Sequence, residues 1–314
     1  MGPGVSAIAD AATTGGFRAG WSVVRRLPER TAYGLFEAAA DVVHARGGKD
    51  VQRLRSNYAR VRPELADREL DRLTRDGMRS YLRYWCDAFR LPDLSPDEIR
   101  RRVRCEGDGP VRELLASGRP VIAFLGHLGN WDMAGAWGTV DLCPVVTVAE
   151  RLKPEEVYAE FLAFRERLGM RILPLTGGPD VFGELRAALT KPVVLPLLAD
   201  RDLTRRGVPV TLCGHEASVA AGPAALAVAS GATLFPVSIW YEEARDLRSG
   251  WRTVIRFHAP VADPRAGTTR ERVIAMSQGC ADALGEGIRE HLADWHMLQR
   301  VFTADLEPRA DRSP

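Results

Sequence analysis

The sequence predicts an α/β protein: a central, mostly parallel sheet flanked by helices, with an N-terminal helical region. Three observations carry this. From residue 104 onward, short apolar runs alternate with helix-spaced patterns, the texture of strands and crossover helices. Before that point only helical spacing recurs. Over 314 residues, 46% hydrophobic and 27% charged side chains suffice for a substantial core and argue against disorder.

Residues 1–16 are small and Gly/Ala-rich and read as a tail. A first helix over 17–27 puts Phe17, Trp21, Val24 and Leu27 on one stripe, with Arg18, Arg25 and Arg26 off it. Pro28 restarts a helix whose inward stripe is Ala32, Leu35, Phe36, Ala39 and Val43, closed by Gly47-Gly48. A third helix covers about 50–60. A fourth runs from Pro63 to about 90, with Leu70, Leu73, Met78, Tyr81, Trp85 and Phe89 inward. Strands are expected at Val121–Leu125, Val145–Val148, Arg171–Leu173, Val193–Leu198, Val208–Leu212, Leu234–Tyr241 and Thr253–Phe257. Helices are expected at about 130–138, 155–168, 180–189, 223–230 and 269–291. The domain reading is a helical region over 17–103 on an α/β core over 104–306, with a tail at 307–314. Ala217 to Tyr241 holds 25 residues without a charge, long enough to span a membrane. Gly222-Pro223 and Ser230-Gly231 divide it, so it reads as a buried helix followed by a buried strand.

Charge narrows the function classes. The net charge of +2 excludes a globally basic nucleic-acid binder. The balance is uneven: residues 16–62 hold ten basic and four acidic side chains, a local +6. With Phe17 and Trp21 on an apolar stripe, that end reads as a helix lying in an anionic membrane interface, although Val24 and Leu27 would serve a core equally well. Five scattered cysteines without C-x-x-C spacing are expected to be reduced thiols in a cytoplasmic setting. No basic segment precedes an apolar run at the N-terminus, so no signal peptide is expected. His215, His258, His291 and His296 lack metal-ligand spacing, and no metal is expected.

The sharpest chemical signal is Gly126-His127-Leu128-Gly129-Asn130-Trp131-Asp132. It follows the most strand-like run and precedes a helix, at the sheet edge where α/β proteins bind ligands. His127 is a candidate general base, and Asp132, across a Gly-containing turn, a candidate acceptor for its Nδ1 proton. A strand cap and a helix cap would give the same spacing. Asp200-Arg201-Asp202 ends a second buried strand, with Arg205 and Arg206 following. It suits phosphate binding and a second carboxylate near the base, or a solvated turn. Gly214-His215-Glu216 leads toward a helix start at Gly222-Pro223, where backbone N–H groups could meet an anion. Motifs for a serine elbow, a P-loop, a dinucleotide fold or a zincin are missing.

Taken in order, these segments resemble a known family. G-H-x-G-N-W-D, A-E-R-L-K-P-E with F-x-x-F-R165, A-D200-R-D-L-T, G-P-A-A-L-A and D294-W-H-M-L-Q-R resemble the lysophospholipid-acyltransferase-like superfamily, within it the lipid A acyltransferases, and most of all the actinobacterial phosphatidylinositol mannoside acyltransferases. The resemblance implies a peripheral enzyme on the cytoplasmic face of the plasma membrane. It would move a palmitoyl chain from acyl-CoA, a co-substrate rather than a cofactor, directly to a mannose hydroxyl of a mannosylated phosphatidylinositol. It implies catalytic roles for His127, Asp132 and Asp200 and substrate-binding roles for Glu150, Arg165, Arg201 and Glu216. Those relatives have Glu-Arg-Asp where this chain has Asp200-Arg201-Asp202, a carboxylate one methylene shorter. Acyl transfer to another glycolipid or lysophospholipid, hydrolysis by an activated water, and lipid binding without catalysis are the alternatives.

Overall fold

In the computed structural model, residues 23–149, 162–174, 180–202, 204 and 206–306 are described. After a helical stretch over 23–26 come α1 (Glu29–Arg46), α2 (Lys49–Val61), α3 (Asp67–Arg90) and α4 (Pro96–Arg102). The α/β part then runs β1 (Val103–Glu106), α5 (Gly109–Ala116), β2 (Val121–Leu125), α6 (Trp131–Asp141), β3 (Val146–Ala149), a helical segment over 162–167, and β4 (Arg171–Pro174). It continues as α7 (Val181–Ala188), β5 (Val194–Leu198), β6 (Val208–Leu212), β7 (His215–Val219), α8 (Gly222–Ser230), β8 (Thr233–Glu243), β9 (Trp251–Phe257) and α9 (Thr269–Glu290).

Local chemistry fixes several ends. Ser95 and Glu98 form a reciprocal capping box before α4, as Thr268 and Glu271 do before α9. Gly47 and Gly231 close α1 and α8 in the left-handed conformation. The five-stranded sheet has the order β1-β9-β8-β2-β5, parallel except for the β8–β9 pair. β3 and β4 pair in parallel, and β3 approaches β5 through a Val145–Val194 bridge and a Thr147 hydroxyl bond to the Pro196 carbonyl at 2.6 Å. Every residue of β2 is buried, as a central parallel strand requires. Ile122 and Phe124 join a core with α2, α8 and α9, whereas Val121, Ala123 and Leu125 join another with α6. The 217–241 stretch resolves into the end of β7, then α8 and β8, and among the described residues no helix is long and apolar enough to cross a membrane.

Two readings need correction. β1, β7, α4 and α5 were not expected; β1 has only four residues, and β7 follows a tight Cys213-Gly214 turn with both residues at positive φ. The inward stripe expected for α1 holds at Ala32 and Phe36 and fails at Leu35, Ala39 and Val43. Ala32, Tyr33, Phe36 and Ala40 face α3, while Leu35 is 55% exposed, Val42 50% and Val43 36%. Tyr33 bonds Asp87 and Phe36 packs edge-on against Phe89 in the middle of this contact, while Asp41 and Glu37 pair with Arg75 and Arg79 of α3 at its edge. Of the expected 17–27 helix, only residues 23–26 are described as helical, and Phe17 and Trp21 lie outside the described residues.

β2 leaves the sheet through Gly126–Asn130, and Gly129 has φ +60. A Cβ on Gly129 would lie 2.5 Å from the Ile239 carbonyl oxygen. Gly129→Ala is therefore expected to lower stability by more than the ~1–2 kcal/mol of left-handed backbone cost alone. Denaturant titration checks this; an unchanged midpoint would contradict the close approach.

Candidate active site

β2 and β5 are parallel neighbours, with Leu125 opposite Leu198. Two residues further along each chain, His127 and Asp200 meet at the same sheet edge. His127 Nδ1 lies 2.6 Å from Asp200 Oδ1, and the His127 backbone N–H donates to Asp200 Oδ2 at 2.9 Å. The Trp295 indole N–H donates to that same oxygen at 3.0 Å. Asp200 is wholly buried. Burial opposes its ionisation, but the His127 charge and the three hydrogen bonds outweigh burial and hold its pKa below the usual carboxylate range. With the carboxylate as acceptor, His127 carries its proton on Nδ1, leaving Nε2 to accept one.

This corrects the expected pairing of His127 with Asp132. Asp132 lies in the first turn of α6, as expected, but its carboxylate is engaged elsewhere. Arg165 Nε donates to Oδ1 at 2.7 Å, and the Tyr84 hydroxyl donates to Oδ2 at 2.8 Å. Burial works against the Arg165 charge, and attraction to Asp132 outweighs it, so its pKa is raised. The α6 N-cap turns Asp132 toward α3 and the 162–167 segment, so five residues of sequence separation do not become contact with His127.

Two open cavities meet at His127. One, of about 570 Å3, runs past Trp131, Arg165 and Arg201 and is floored by Leu125, Pro196 and Leu198. The other, about 320 Å3, is walled by Tyr84, Trp131 and residues 296–299. Behind Trp131, between α6 and the sheet, a small apolar pocket of about 40 Å3 extends past Gly135 and Gly138 to Val145 and Phe257. Arg201 lines both larger cavities and has no ion-pair or hydrogen-bond partner among the described residues. Its guanidinium is available to an anion. The Asp-Arg-Asp turn is pinned by Asp202 N–H to the Ser218 carbonyl at 2.7 Å. Glu216 is exposed on β7 and lines neither cavity, so this residue is not brought to the site. The pleat accounts for this: its neighbours Ala217 and Val219 alternate inward. Glu150 and Arg205 lie outside the described residues.

The chain segment after α9 was given no role in advance. Besides the Trp295 bond, His296 N–H donates to the His127 carbonyl at 2.7 Å, and Gly129 N–H to the Asp294 carbonyl at 2.8 Å. Asn57 of α2 donates to the Met297 and Gln299 carbonyls, each at 2.8 Å. The Tyr58 hydroxyl donates to the Trp295 carbonyl at 3.0 Å. The N-terminal helices thus hold this strap, and the strap holds the His127 loop. The available signal was its presence among the family-like segments.

The family profile for bacterial lipid A biosynthesis acyltransferases matches residues 15–304, and the chain belongs to that family. The resemblance read from its motifs is borne out. Among curated relatives, the phosphatidylinositol mannoside acyltransferase of Mycolicibacterium smegmatis (strain ATCC 700084 / mc(2)155) is 40% identical over 93% of this chain and 91% of its own. That of Mycobacterium tuberculosis (strain ATCC 25618 / H37Rv) is 38% identical over 96% of this chain and 92% of its own.

The strap also makes a pH prediction. Ser80 gives its one proton to Asp294 and lies 2.9 Å from His296 Nε2, so Nε2 is the protonated nitrogen; Nδ1 is buried without a partner among the described residues. Burial, with Arg83 and His127 adding to it, lowers the His296 pKa to about 3. Below the ordinary 6.5 the unfolded chain takes up a proton that the folded chain refuses, so this contribution is lost as pH falls from 6.5 toward about 3. Between pH 7 and 5 the loss is about 2 kcal/mol. His296→Gln should flatten that part of the stability profile. An equally steep fall in the variant, measured by denaturant titration, would put the acid sensitivity elsewhere.

Proposed function

We propose that the protein transfers a long acyl chain, palmitoyl, from acyl-CoA to a mannose hydroxyl of a phosphatidylinositol mannoside. The observation that carries this reading is the His127–Asp200 pair at the meeting of two cavities, one continuing toward an apolar pocket. The acceptor hydroxyl loses its proton to His127 Nε2 as its oxygen attacks the thioester carbonyl. Asp200 keeps the imidazole in the required tautomer and stabilises the imidazolium. The tetrahedral intermediate collapses, the carbon–sulfur bond breaks, and His127 returns the proton to the leaving thiolate. Asp132 is a positioning residue that fixes Arg165 in the cavity wall. The acyl chain lies along the floor toward Gly135 and Gly138, where each methylene buried contributes about 0.8 kcal/mol. The acceptor assignment follows the names of the two mycobacterial relatives.

Mass spectrometry of products from palmitoyl-CoA and a panel of glycolipid acceptors tests the reading. A mannoside bearing one added palmitoyl is expected. Palmitate released without an acceptor would indicate a hydrolase, and a different acylated lipid would replace the acceptor.

His127→Ala should lower turnover by about 100-fold or more. Asp200→Asn should come close to it. Asp132→Asn should act mainly through Arg165 and raise KM more than it lowers kcat. Steady-state kinetics separates these, and a larger kcat loss in Asp132→Asn than in Asp200→Asn would reverse the assignment.

The reading also needs access to lipid. We locate the contact with the cytoplasmic leaflet on the outer face of α1, where Leu35, Val42 and Val43 are exposed and the basic residues that give 16–62 its +6 flank the helix on both sides in sequence. Leu35→Glu with Val42→Glu should weaken co-flotation with anionic vesicles, as should high salt. Unimpaired flotation of the double variant would move the contact elsewhere.

A further inference from the structure

A fourth cavity, of about 440 Å3, opens over the first turns of α2 and is lined by Lys49, Arg53, Ser56, Asn57, Arg300 and Asp305, with Gln52 beside them. Its charge is one-sided. Lys49 has no ion-pair partner among the described residues, and the described ion pair of Arg53 is a 3.4 Å contact to Asp50. Asp305, the carboxylate in the lining, is taken by Arg60, whose Nε donates to it at 2.7 Å.

The cavity adjoins the catalytic one. Met297, Leu298 and Gln299 line the lobe that contains His127, and Arg300, the next residue, lines the cationic cavity. Asn57 lines the cationic cavity while holding the carbonyls of Met297 and Gln299. A donor with its thioester at His127 would have to run along Leu298 and Gln299 to bring its far end to Lys49 and Arg53.

We propose that this cavity binds the phosphate groups at the nucleotide end of the thioester donor, an inference that rests on the reading of acyl-CoA as donor. The ligand chemistry is a cluster of phosphate esters, which Arg and Lys recognise by charge and hydrogen bonding. The acceptor also carries a phosphate, but as a single diester. The donor places several phosphates at the end of a long arm, and Lys49 and Arg53, on one face of α2 in this cavity, match that cluster better.

The test compares two donors in detergent micelles, which removes membrane binding as a variable. Palmitoyl-CoA and palmitoyl-pantetheine share the thioester and the arm, and the second lacks phosphate. Lys49→Glu with Arg53→Glu should raise KM for palmitoyl-CoA about tenfold or more. It should leave KM for palmitoyl-pantetheine within about twofold. Adenosine 3′,5′-bisphosphate should inhibit the wild type with palmitoyl-pantetheine and lose its effect on the variant. An unchanged KM for palmitoyl-CoA overturns the proposal. So does an equal rise for both donors, which would mark a structural role, or a rise confined to the glycolipid acceptor, which would give the site to the acceptor phosphodiester. If palmitoyl-CoA is not a donor at all, the wild type alone reveals it, before any variant is made.

Discussion

The arrangement of the site depends on one buried carboxylate. Asp200 is removed from water, and an ionised group there is costly unless its oxygens are hydrogen-bonded. Three N–H groups meet that need, and they come from different parts of the chain: the His127 ring and backbone, and the Trp295 indole. The same bonds orient His127 and hold the strap against the β2 loop. Replacing the carboxylate by an amide would leave an N–H group facing other N–H groups, so the geometry and the charge are lost together.

Two other buried carboxylates extend this logic outward. Asp87 of α3 accepts from the Tyr33 hydroxyl of α1, from the Tyr241 hydroxyl of β8 at 2.7 Å and from the Asn130 amide at 3.1 Å. Asn130 in turn caps α6 through the Met133 N–H. Asp294 accepts from Ser80 of α3 and from the Tyr241 N–H. The helical region is thereby joined to the sheet by directional polar contacts as well as by the apolar core that contains Leu54 and Tyr58. Directional bonds fix rotation and register, which apolar contact alone leaves looser.

Most strands and most helices were legible because their patterns are local. Val121–Leu125 is continuous and apolar, and Gly222-Pro223 and Ser230-Gly231 punctuate α8. His127 stood out because its neighbours dictate a strand end. Its partner did not, because choosing between Asp132 and Asp200 requires knowing that β2 lies beside β5, which is a fact of sheet order. Five residues of separation made Asp132 the nearer carboxylate in sequence, whereas in space Arg165 and Tyr84 claim it. The α1 stripe failed in part for a related reason: periodicity identifies an apolar face, but which of its residues meet α3 depends on partners such as Asp87 and Phe89 that the local pattern does not place. Trp295 contacts a residue 95 positions away, and no local pattern carries that information.

The strap gives the order of synthesis a chemical meaning. Residues 294–299 follow α9 and emerge from the ribosome after the whole sheet has been made. Until they emerge, the Asp200 oxygen that receives the Trp295 N–H lacks that donor, and the loop carrying His127 lacks its bonds to His296 and Asp294. A nascent chain can thus form its sheet and its cavity walls while the His–Asp pair remains incompletely held. Completion of the site therefore waits on a segment that lies after every strand that walls it.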